Sequence, residues 1–95
     1  MSERRYAVRF KRSVVRDLRR LDAGARSRVR AAIEGRLAPD PRCGKRLAGV
    51  SEPASGRPLW SYRVGDYRIV YTFNDAELWV LVVRVGHRGA VYDDL

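Results

Sequence analysis

Hydrophobic and polar positions alternate where the chain begins. Tyr6, Val8 and Phe10 fall on one side of "RRYAVRF", and Arg5, Ala7 and Arg9 on the other. That period of two predicts a half-buried strand. The spacing then changes. Val14, Leu18 and Leu21 recur at i, i+4 and i+7 with Val15 beside them, while Arg12, Arg16, Arg19 and Arg20 fill the other positions. This predicts an amphipathic helix running to about Leu21, with Ser13 as its N-cap. Asp22 predicts the cap of a second helix, whose apolar stripe is Ala25, Val29, Ala32, Ile33 and Leu37. "APDP" ends it, because proline lacks an N–H and restricts the residue before it.

From Arg42 to Pro58 the periodicity dissolves. "VSEPASGRP" reads as a surface loop, and "KRLAGV" before it offers Leu47 as an anchor with Lys45 and Arg46 alongside. Strands then resume. Leu59 to Val64 and Tyr67 to Phe73 flank Gly65-Asp66, a two-residue hairpin turn. "NDAE" turns the chain once more. "LWVLVVRVG" is almost continuously apolar and β-branched, as in a central strand covered on both faces. The predicted order is β-α-α-β-β-β. That is a small α+β domain spanning residues 1–95, with an antiparallel-rich sheet and two amino-terminal helices packed on one face.

Composition narrows the function. The chain has 95 residues, of which 45% are hydrophobic, so it can bury a modest core as one domain. No run approaches the length of a membrane span, and "MSERRYAVRF" lacks an apolar h-region. A cytoplasmic protein with no membrane partner is expected. Cys43 is the only cysteine and His87 the only histidine, too few soft donors for a zinc site. No metal or other cofactor is expected. Lys and Arg total 20 against 11 Asp and Glu, a net charge of +9. Only Lys11 and Lys45 are lysines; the rest are arginines, whose forked guanidinium matches phosphate oxygens two at a time. The expected partner is a polyanion or a strongly acidic protein.

The hairpin sharpens this. A two-residue turn at Gly65-Asp66 sets Val64 against Tyr67, Arg63 against Arg68, Tyr62 against Ile69 and Trp60 against Tyr71. One face then carries Trp60, Tyr62, Val64, Tyr67, Ile69 and Tyr71, the core side; the other carries Ser61, Arg63, Arg68 and Val70. Like charges directly opposite destabilise a sheet. Two readings stand at this point: an anion lies between the arginines, or they splay into water and pair with carboxylates such as Asp66. The tail "RVGHRGAVYDDL" adds His87, Arg88 and Tyr92 within six residues. Each has a bland reading alone, as surface imidazole, solvated charge or core cap. Together they supply a titratable ring, a cation and a phenol that can converge on the arginine pair.

"LWSYRVGDYRIVY" followed by "VVRVGHRGAVY" resembles the RelE/ParE superfamily of bacterial toxins, specifically its RelE-like branch. The likeness extends to the first strand, "VVRDLRRLD", "LAPDP" and the Leu47-Ala48-Gly49 step. It implies the toxin of a type II toxin-antitoxin system, neutralised by a small acidic antitoxin and meeting operator DNA only through that complex. Nuclease members enter the ribosomal A site and cut mRNA without a metal, by attack of the 2′-hydroxyl on the neighbouring phosphate. By position, Arg63, Arg68, Arg88 and Tyr92 match the family's catalytic basic and tyrosine residues, and His87 sits where some relatives have another basic residue. Lys45, Arg46 and Ser61 are the expected RNA-binding positions. Ser61 departs from the pattern, because nuclease relatives carry a lysine there.

The chemistry suits these residue types. Fixed guanidiniums at Arg63 and Arg68 stabilise charge gathering on phosphoryl oxygens. His87 is the better-poised titrating group, Tyr92 a base only where cations lower its pKa, and Arg88 a poor proton donor. The acid/base assignment stays open. Two alternatives accompany the nuclease: a ParE-like toxin that inhibits DNA gyrase, and a degenerate toxin that serves only as an antitoxin-binding regulatory partner.

Overall fold

The computed structural model describes residues 5–87. Strand β1 (Ala7–Phe10) leads into helix α1 (Arg12–Arg19) and helix α2 (Ala23–Ala32), which continues as a wider π turn over Ile33–Leu37. A short 3-10 turn at Pro41–Cys43 precedes β2 (Lys45–Ser51), β3 (Pro58–Val64), β4 (Tyr67–Asn74) and β5 (Trp79–His87). The five strands form one sheet in the order β1-β5-β4-β3-β2. Only the β1–β5 pairing is parallel. This is the expected α+β architecture with one more strand than the periodicity predicted. Among the described residues no helix is long and apolar enough to cross a membrane.

The helices cover one side of the sheet. Val14, Leu21, Ala25, Val29, Ile33 and Leu37 are buried against Ile69, Tyr71, Val80, Val82 and Val85. Asp22 caps α2 as expected, its carboxylate accepting from the Ala25 N–H at 2.8 Å. Ser13 does not cap α1. Lys11 occupies the N-cap position without a side-chain cap bond, and the Ser13 hydroxyl donates to the Val83 carbonyl at 2.9 Å. The reason lies in the sheet. β1 pairs with β5 only as far as Val82, and α1 serves the edge beyond it. Lys11 N–H donates to Val82 O at 3.0 Å, and the buried Asp17 carboxylate accepts from Val85 N–H at 2.9 Å. Backbone groups on an edge that would otherwise be open are thereby satisfied.

The extra strand corrects the loop reading of Arg42 to Pro58. Leu47 and Val50 stand three apart, which is not a strand period. A register irregularity between Arg46 and Ser51, with Gly49 at φ 73°, turns both onto the same apolar cluster. That cluster, centred on buried Leu59, Val70 and Val83, is a second, smaller core on the side of the sheet away from the helices.

Candidate functional site

Gly65 holds the β3–β4 turn at φ 58°, a left-handed conformation that glycine adopts without strain. The resulting register is the expected one: Arg63 opposite Arg68, Tyr62 opposite Ile69, Trp60 opposite Tyr71. Trp60 and Tyr62 pack against the helix-side core, and Arg63, Arg68 and Ser61 lie on the other face. Arg63 is exposed, and its Nε donates to the Gly65 carbonyl at 3.1 Å. Arg68 is half-buried and leans diagonally, Nη1 donating to Ser61 Oγ at 3.5 Å. Ser61 itself is only 3% exposed. The two guanidiniums therefore turn to different acceptors while sharing one face.

Lys45 pairs with Ser61 across β2–β3, so it belongs to this face and is exposed. Arg46 pairs with Trp60 and takes the opposite side of the pleat. Of the expected RNA-binding residues, the fold brings Lys45 and Ser61 to the arginines and directs Arg46 away. His87 pairs with Tyr67, and the two rings are 4.8 Å apart between centroids. Tyr67 packs toward the helix-side core, so exposed His87 leaves the sheet on the side away from Arg68. Arg88 and Tyr92 lie outside the described residues.

Two further groups reach this face without having been singled out from the sequence. A bulge in β5 opposite Val70 and Tyr71 keeps Val82 and Val85 in the helix-side core and turns Val83 to the second cluster. Arg84, opposite Val70, bonds the Asp17 carboxylate through Nε at 3.0 Å and Nη2 at 3.3 Å. A lone charge inside an otherwise apolar strand was the signal that a buried partner waited for it. The second group is Glu52, 1% exposed. Burial pushes its carboxyl up, but Lys11 Nζ at 2.7 Å, the Ala54 and Ser55 N–H groups and the Ser55 hydroxyl outweigh that and hold it down at about 2. Lys11, Ser13, Ser51, Pro53, Leu59, Val83 and Arg84 line a cavity of about 240 Å³ beside this cluster. The face thus has an apolar floor and a cationic border.

The edge of the face is fixed by Tyr71. Its hydroxyl donates to the Pro41 carbonyl at 2.6 Å, and burial pushes its pKa up. Gly44 passes so close that a Cβ there would stand 2.2 Å from Tyr71 Oη and 2.6 Å from the Ser61 carbonyl oxygen. Only glycine fits, and Lys45 follows directly.

The chain is similar to known proteins over most of its length. Residues 8–92 match the family model of the ParE toxin of type II toxin-antitoxin systems, parDE. Toxin RelG of Mycobacterium tuberculosis is 34% identical over 92 residues, covering 92% of this chain and 95% of that protein. The crystal structure of the toxin-antitoxin complex RelBE2 from the same organism superposes with a TM-score of 0.75 at 34% identity, over 92% of this chain and 95% of that one. A mutant of the E. coli toxin RelE in the free state shares the fold, with a TM-score of 0.71 at 22% identity over 90% of this chain and 86% of that one.

Proposed function

The chain belongs to the ParE toxin family of type II toxin-antitoxin systems, within the RelE/ParE superfamily, and we propose that it is a ribosome-dependent mRNA endoribonuclease restrained by a small acidic antitoxin. The observation that carries this is the cross-strand pair Arg63–Arg68 on a sheet face that the helices leave uncovered. Like charges at directly opposed positions cost stability. A phosphate between them reverses the sign of that interaction, since each guanidinium binds phosphate oxygens through charge-assisted bonds.

In the proposed reaction the RNA 2′-oxygen bonds to the adjacent phosphorus and the bond from phosphorus to the 5′-oxygen breaks. A base accepts the 2′-hydroxyl proton and an acid delivers one to the departing 5′-oxygen. The products are a 2′,3′-cyclic phosphate and a 5′-hydroxyl. Arg63 and Arg68 stabilise the charge that builds on the phosphoryl oxygens. His87, Arg88 and Tyr92 are the proton-transfer candidates, on the strength of the family resemblance. His87 is the one whose described position, on Tyr67, separates it from the arginine face.

The family model favours a second reading, since it bears the ParE name. In that reading the same fold inhibits DNA gyrase and performs no chemistry. Primer extension on mRNA after induced expression separates the two. Cuts phased to the ribosomal A site are expected; intact mRNA with stalled gyrase overturns the nuclease.

A further inference from the structure

Ser61 is nearly inaccessible on a face otherwise bordered by cations. Two cationic side chains flank it. Arg68 leans over it from β4, donating to Ser61 Oγ. Lys45 stands directly across from Ser61 on β2, at a position whose Cα separation in an antiparallel pair is only about 4.5–5.5 Å. Arg63, two residues along β3, is about 7 Å from Ser61 in the strand direction. One phosphate lying on this face is within reach of all three cations.

Several features show that this placement is built into the fold. Gly44, which admits no side chain against Tyr71 and the Ser61 carbonyl, locks the start of β2 onto β3. The Tyr71–Pro41 hydrogen bond holds the chain entering it. In a chain whose other cations are arginines, both lysines come to this side of the sheet. Lys11 is committed to buried Glu52. The ion pairs among the described residues join Lys11 to Glu52, Arg42 to Asp75 and Arg84 to Asp17, and Lys45 is in none of them. An exposed ammonium aligned with a guanidinium pair lacks the carboxylate that would make it structural.

We propose that Lys45 is a third cationic ligand of the RNA phosphate held by Arg63 and Arg68, delivered from β2 across Ser61; this rests on the ribonuclease reading above. Its compact ammonium adds a point charge to the side of the phosphate that the two guanidinium forks leave open. It stabilises the transition state by charge alone and moves no proton. The ligand class is a single-stranded RNA phosphodiester.

The test compares Lys45→Met with wild type and with Arg28→Met, a charge-matched change on exposed α2. Two quantities are read: single-turnover cleavage on programmed ribosomes, and binding of a non-cleavable 2′-O-methyl oligonucleotide to the free protein across a salt series. Lys45→Met should slow cleavage by about 10²–10³-fold, the usual worth of one fixed transition-state donor. It should also lower the slope of log affinity against log salt by about 0.7, one phosphate contact on a single strand. Arg28→Met should leave the cleavage rate unchanged. Wild-type cleavage that Lys45→Met matches, with an unchanged salt slope, overturns the assignment of Lys45. A wild-type protein that leaves mRNA intact instead refutes the nuclease. The binding slope then decides Lys45 by itself: a drop of about 0.7 keeps it as a phosphate ligand, and no drop removes it.

Discussion

A guanidinium directly across from another is held there against its own repulsion. The hairpin turn accomplishes this for Arg63 and Arg68, which donate to the Gly65 carbonyl and the Ser61 hydroxyl respectively. Removing either arginine relieves that repulsion, so stability should stay close to wild type while a phosphate ligand is lost. Arg68→Ala and Arg63→Ala are each expected to lose growth inhibition, with single-turnover cleavage down about 10²–10³-fold and thermal unfolding close to wild type. Two variants that inhibit growth as strongly as the parent would move the site elsewhere. The arginine pair was legible in the sequence because a two-residue turn specifies register without ambiguity. His87 and Lys45 were named from the sequence, but the face each takes was not legible there. The side His87 takes depends on counting through a bulge at Val83 that no local residue type announces. Lys45 acquires a cross-strand partner only through a strand whose apolar spacing hides it.

At the level of elements, the buried Glu52 ties the loop before β3 to the start of α1, two segments with no backbone pairing between them in the sheet. Its carboxylate accepts four hydrogen bonds while almost wholly excluded from water, which makes the loop an ordered part of the arginine face. The turn-rich "VSEPASGRP" advertised a loop but not this anchor; a lone glutamate in such a stretch reads as solvated. A carboxyl held at about 2, below its ordinary value near 4.3, contributes stability that is present above the ordinary value and is lost as pH falls toward 2. Screening at the one-third exposed Lys11 limits the effect to roughly 1–3 kcal/mol. Urea unfolding of wild type and Glu52→Gln at pH 7, 4 and 2.5 checks it. The stability gap between them should narrow as pH drops across that window, since other carboxylates titrate alike in both. A constant gap would show that Glu52 is held by shape and not by charge. Helix α2 and the β3–β4 hairpin needed no such tertiary information, because each has a local cap or turn, Asp22 and Gly65, that agrees with its apolar period.

For the whole molecule the controlling comparison is between its dimensions and the reach of its charge. The described chain measures 37 × 29 × 21 Å, and the protein carries a net charge of +9. The Debye length is about 30 Å at 0.01 M salt and about 8 Å at 0.15 M. At low salt an acidic partner is attracted by every arginine together; at physiological salt it is attracted only by those near where it lands. Association with the antitoxin should accordingly be fast at low salt and fall steeply as salt rises. Single neutralisations then report where the partner docks. Arg28→Gln, on α2, lies on the helix side of the sheet, and Arg63→Gln lies on the arginine face. If the antitoxin silences the toxin by covering that face, the two variants should slow association by similar factors at about 0.01 M salt, and only Arg63→Gln should still do so at about 0.15 M. Stopped-flow rates at the two ionic strengths give the answer. Rates indifferent to salt would reject electrostatic steering, and a persistent effect of Arg28→Gln alone at physiological salt would put the antitoxin on the helices, leaving Arg63 and Arg68 open in the complex.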